Sequence, residues 1–166
     1  MRPLKQILLA FASVAGPCAA AAAIPPPADI HVVRHFVAKN RAYTRAAGAE
    51  GMPAIGRLPA LLGDPIRFEL EAARIAALAD NGHSALLPLQ WAARHPRSPV
   101  RLGLFADGLF VIAAPPEHAQ LLRRRVVAIN GQPWETVRQA YAHYQGGEPA
   151  FRDQFVTLFI ETPPLL

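Results

Sequence analysis

The chain is short of reactive side chains. Of its 166 residues one is cysteine, Cys18, so past the N-terminal segment that holds it there is no disulfide, no thiol nucleophile and no thiolate metal site. Lysine occurs at Lys5 and Lys39, and the other basic residues are all arginine. Past residue 23, serine occurs at Ser84 and Ser98 alone. Any serine–lysine or serine–histidine mechanism within that stretch must therefore draw on Ser84, Ser98 and Lys39. Ser84 follows His83 directly, and neighbours on an extended chain point to opposite faces, so the two make a poor nucleophile and base. Ser98 sits among prolines in a polar loop. A complete serine-hydrolase site is not expected within this chain.

A long hydrophobic run is also lacking. Ile7 to Gly16 is apolar but too short to cross a bilayer. With Arg2 and Lys5 before it and the alanines 19–23 after it, residues 1–23 read as an export signal, cleaved and outside the fold. The expected location is periplasmic or secreted. Anchoring as a lipoprotein through Cys18 ranks second because Pro17 stands where a small residue would be wanted, and membrane contact is expected only if Cys18 is lipidated.

What is present is alanine, arginine and proline. The formal charge is +5, falling to +3 without Arg2 and Lys5. The arginines are scattered through alanine-rich sequence, and Arg123–Arg125 is their one cluster. Three charges make a weak patch and export separates the protein from nucleic acid, so no nucleic-acid partner is expected.

Periodicity gives an α+β chain: an N-terminal helical region, then a small sheet with short helices. Asp29 is placed to cap a helix whose apolar face is Val32, Val33, Phe36, Val37 and Tyr43, ending near Gly48. A Gly/Pro-punctuated connector is expected over 51–63. Asp64-Pro65 opens a helix with Ile66, Leu70, Ala73 and Ala77 on one face; Phe68, Ile75 and Leu78 on others predict burial on more than one side. Residues 85–91 read as extended, followed by a loop. Two strands flank Ala106-Asp107-Gly108 as a hairpin, "RVVAI" is a buried strand, and Asn130-Gly131 is a tight turn. A helix follows from Pro133 to Gly146-Gly147, and a last one, "FRDQFVTLFI", ends at Thr162.

Six histidines compete for attention. His31 and His35 have the i, i+4 spacing of metal ligands, but Val32 stands where a zinc protease carries its glutamate and no third ligand is evident; the reading is a solvated face, with no metal or other cofactor. His95, His118 and His143 are read as surface residues. Trp91 and Trp134 are read as packing, since neither has the basic company of a nucleic-acid stacking platform. The cluster with a mechanical logic is Asp80-Asn81-Gly82-His83. Asn81 or Gly82 ends the helix in a left-handed conformation and aims His83 off its terminus. On spacing alone, a simple helix stop whose histidine bonds a free carbonyl is the preferred reading.

"FELEAARIAALADNGHSALLPL" and "DGLFVIAAPPEHAQLLRRRVVAINGQPWETV", taken together, resemble the N-terminal part of exported bacterial serine peptidases of the tail-specific (C-terminal-processing) type. The closest likeness is to the branch of tricorn core and the interphotoreceptor retinoid-binding repeats. Those proteins carry a helix-stop corner of the form Asp-x-His-Thr, then a PDZ-like segment with "GL.V" and "vvaInG.p", and only afterwards the catalytic α/β domain. The resemblance spans Asp29 to Leu166. It implies that His83 is a general base presented to a nucleophile on a separate domain, with Asp80 and Ser84 supporting it. Ser84 replaces the usual threonine.

The organisation this implies is a signal over 1–23, a helical region over 24–82, a PDZ-like region over 83–148 and a C-terminal helix over 149–166 leading to a catalytic domain that the chain lacks. The expected function is the N-terminal, non-catalytic portion of an exported serine-type peptidase-like protein. The alternative is a stand-alone exported PDZ-like module that binds peptides or protein C-termini by adding them to a sheet edge, with Gly108, Leu109, Phe110 and Val111 as that edge.

Overall fold

A computed structural model describes residues 6–9, 27–86 and 95–162. Cys18, Trp91, most of the expected extended stretch 85–91 and the first part of the loop after it lie outside the described residues.

The helical region is a three-helix layer. Helix α1 (Pro27–Lys39) begins ahead of Asp29, which falls in its first turn, where a carboxylate complements the helix dipole, and so is not the cap. Val37 is buried and Val33 packs beside it, but Val32 points outward at 66 % exposure and leaves the expected stripe.

Helix α2 (Arg45–Arg57) is a correction. The sequence 45–57 contains three glycines and Pro53, and its second half was expected to be connector; it is continuous helix. Two things outweigh the poor propensity. Thr44 caps it, its hydroxyl accepting from the Ala47 N–H at 3.1 Å, and Ala54, Ile55 and Leu58 are fully buried.

Helix α3 (Pro65–Ala77) has the expected start, with the Asp64 carboxylate accepting from the Arg67 N–H at 3.1 Å and Pro65 in the first turn. Phe68, Ala72, Ala73, Ile75 and Ala76 are buried, so the helix is covered on more than one side. Tyr43 ties the layer together: its hydroxyl donates to the Ile75 carbonyl at 2.6 Å, and burial pushes its pKa up to about 12.

The sheet contains β1 (Gln6–Leu9), β2 (Arg101–Phe105), β3 (Gly108–Ala113), β4 (Arg125–Ile129) and β5 (Gln132–Pro133), in the order β1-β4-β3-β2 with β5 on β4. β2–β3 and β3–β4 are antiparallel, whereas β1 joins β4 in parallel. Both turn signals hold: Asn130 and Gly131 take φ of +48° and +79°. In the first hairpin the positive φ falls on Gly108, not on Asp107.

Helices α4 (Trp134–Tyr141) and α5 (Pro149–Ile160) cover the sheet. Trp134, Val137, Val156 and Ile160 pack with Leu102, Leu109, Val111, Val126 and Ile129 in one core. Phe159 reaches the other way, against Ala73 of α3. α5 is thus built into the sheet's own core and also fastens it to the helical layer. Residues 6–9, expected to lie outside the fold with the rest of the signal, form the strand alongside β4.

Candidate functional site

The helix-stop corner forms as expected, by a different residue. Asp80, not Asn81 or Gly82, adopts the left-handed conformation, with φ of +48°. Asn81 then closes an Asx turn, its side-chain oxygen accepting the His83 N–H at 2.9 Å. The Ser84 N–H donates to the Asn81 carbonyl at 2.9 Å, so the two residues lie in a turn and not on an extended chain; His83 is exposed and Ser84 is buried. Among the described residues nothing bonds the His83 imidazole. Ser84 is occupied, its hydroxyl accepting from Asn40 at 2.9 Å, which ties the end of α1 to the corner. Its role is to hold the turn.

A second segment, 145–152, made of the loop before α5 and that helix's first turn, braces the corner. Arg152 pairs with the Asp80 carboxylate and also donates to the Gly147 carbonyl, and the Gly147 N–H donates to Asp80 at 3.2 Å. Gln145 is buried and donates to the Gly82 carbonyl at 3.2 Å, while its Oε1 has no partner among the described residues. Two glycines permit the approach. A Cβ on Gly146 would stand 2.7 Å from the Asn81 nitrogen, and one on Gly82 would stand 2.5 Å from the Phe151 ring. The two segments enclose an open cleft of about 540 Å³, bounded by Gly82, His83, Glu148, Phe151 and Arg152.

Gln145, Phe151 and Arg152 were not found from sequence. The one available signal was the Gly146-Gly147 pair, a double glycine after a helix, which marks a close backbone approach without saying to what.

The remaining candidates separate from this site. Gly108, Leu109, Phe110 and Val111 are not a sheet edge. Their strand is flanked by β2 along its length and by β4 at Leu109 and Phe110, and Val111 bonds Arg124 and Arg123 through its N–H and carbonyl. An incoming peptide finds no free ladder there. Leu109 and Val111 are core residues. The outer strands of the sheet are β2 and β1, and β4 lies between β1 and β3.

Ser98 is buried. Its hydroxyl accepts the Val100 N–H at 3.2 Å, and its own N–H donates to the Glu161 carbonyl at 2.7 Å. Both serines thus have structural partners. His95, expected at the surface, is buried with Nε2 3.1 Å from a Glu69 carboxylate oxygen. His143 is exposed but not without neighbours: partial burial and the charge of Arg74 lower its pKa, and its ring lies 4.2 Å from that of Tyr144, tilted at 42°. His31 and His35 are both exposed on α1, and no group of three metal-ligating side chains occurs among the described residues. No helix among them is long and apolar enough to cross a membrane.

Comparison of the chain with protein-family models, with curated proteins and with solved structures finds no match.

Proposed function

We propose that this chain is the base-presenting, non-catalytic N-terminal portion of an exported serine-type peptidase-like protein. The observation that carries the reading is the contrast at one corner. His83 is exposed at the rim of a cleft, its imidazole bonded to nothing among the described residues, on a turn braced from three sides, while Ser84 and Ser98 are buried and bonded. A general base needs that placement: access to a proton on an incoming group and little freedom to turn away. The hydroxyl nucleophile and the oxyanion hole come from outside the described residues.

The test is a peptidase assay of the chain joined to a catalytic domain of the tail-specific type. Peptide turnover is expected, and His83→Ala should lower it roughly 10²–10⁴-fold, the range of a positioned general base. Unfolding of that variant should stay within about 0.5 kcal/mol of the parent, as for an exposed side chain. Turnover by the unjoined chain, abolished by Ser84→Ala or Ser98→Ala, would overturn the reading.

A second reading, a stand-alone exported PDZ-like module that binds peptides or protein C-termini, is favoured by a different observation: the outer side of β4 carries an added extended segment with an apolar sequence, "QILL". On this reading the docking edge is β4 and not Gly108–Val111. Under either reading the chain acts after export, in the periplasm or outside the cell, and Cys18 lipidation is its route to a membrane.

A further inference from the structure

β4 has the composition of an interior strand. Val126 and Ile129 are buried in the core, Val127 and Ala128 are half-buried, and β3 and β5 pair with one side of it. On the other side its partner among the described residues is β1, in register from Gln6 against Arg125 to Leu9 against Ile129, with one irregularity between Ile7 and Leu8. An apolar strand whose outer edge is covered by four residues, themselves part of a segment with the marks of a removable export signal, has no other partner on that side among the described residues once that segment goes. Unpaired N–H and carbonyl groups along such an edge are a template for another strand.

We propose that residues 6–9 plug a peptide-docking edge, and that in their absence β4 takes up an extended apolar peptide in the same place, parallel to itself. The occupant's chemistry is read from the plug: a run of large apolar residues without proline, able to present its backbone N–H and carbonyl groups to Arg125–Ile129. This inference rests on the peptide-binding reading and narrows it to one edge and one kind of ligand. It does not involve His83.

The test uses the full uncleaved chain and its Ile7→Pro/Leu8→Pro variant, because two prolines remove the N–H groups that a plug strand donates. The probe is a synthetic decapeptide of residues 2–11. Hydrogen exchange at the amides of Val126–Ile129 reports the edge directly. The variant should lose protection there, regain it when the peptide is added, and bind the peptide at least tenfold more tightly than the parent chain. Protection unchanged in the variant would overturn the plug. Equal, measurable affinity of both chains would overturn the plug and leave peptide binding standing. Absence of binding to either chain would overturn both.

Discussion

At two places in this molecule a carboxylate and an arginine meet where a loop joins a helix. At the first, Asp80 is 70 % exposed, pairs with Arg152, and leaves His83 and a cleft open to solvent. At the second, the Glu161 side chain is 4 % exposed and is closed over on every side. It accepts the Leu102 N–H at 2.7 Å, pairs with Arg97, and lies 3.7 Å from Arg101, which also donates to the Ser98 carbonyl. The same side-chain types serve opposite ends. The buried set fastens the end of α5 to the start of β2, so its polar groups are used up by the fold. The exposed set holds a turn in place while leaving one titratable group, His83, without a side-chain partner among the described residues. A carboxylate near an arginine therefore says little about function until its burial is known.

The sharpest way to break this comparison is at Glu161. Glu161→Ala leaves a buried N–H unsatisfied and two arginines without their carboxylate, and should lower unfolding free energy by about 3 kcal/mol. Glu161→Gln keeps an acceptor for Leu102 and should fall between the two. Denaturant unfolding measures both, and a loss under about 1 kcal/mol for the alanine variant would place this junction in the same class as the exposed corner.

Next in size is the brace behind His83. Gly146→Ala puts a methyl group 2.7 Å from the Asn81 nitrogen and 3.1 Å from the Ala77 carbonyl, both backbone atoms with no soft path away. A loss of about 1–3 kcal/mol is expected from such overpacking. If the loop instead shifts freely, the unfolding midpoint stays at the parent value and the corner is less rigid than its bonds imply.

Asp80 separates the two contributions of one residue. Asp80→Ala loses the Arg152 and Gly147 bonds yet keeps a side chain at φ of +48°, and should lower stability by about 1–2 kcal/mol. Asp80→Gly loses the same bonds but removes the backbone strain, and should come out within about 0.5 kcal/mol of the parent. Equal losses would mean that the ion pair, though mostly exposed, carries the whole effect.

The same division explains what the sequence makes legible. Helix starts at Asp64-Pro65, the hairpin around Asp107-Gly108 and the Asn130-Gly131 turn are local events, and each appears where its chemistry puts it. The opposition of His83 and Ser84 also appears, but a hydrogen-bonded turn at Asn81 produces it and not the alternation of an extended chain. Helix α2 was hidden because Gly48, Gly51, Gly56 and Pro53 argue locally against a helix that burial of Ala54, Ile55 and Leu58 sustains from a distance. Sheet order was hidden for a related reason. Nothing in "GLFVI" announces that β4 returns to lie beside it. The brace at the corner depends on a meeting between residues 80–83 and 145–152, more than sixty positions apart, and the burial of Glu161 depends in the same way on Arg97 and Leu102, about sixty positions before it.

The smallest expected effect concerns His143, which sits near the first corner, on a neighbouring cleft that Asp80 and Arg152 also border. Partial burial and Arg74 hold its pKa below the ordinary 6.5, with Glu71 opposing. The folded protein therefore takes up this proton less readily than the unfolded chain. Stability from this group is complete well above pH 6.5, falls as acidification protonates the unfolded chain first, and levels off once the folded form is protonated too. His143→Gln removes that loss. Thermal unfolding at pH 8 and at pH 5 should therefore show a smaller acid-induced drop in the variant than in the parent. A larger drop in the variant would mean that the charged ring is favoured at this cleft, reversing the electrostatic order assigned to the exposed corner.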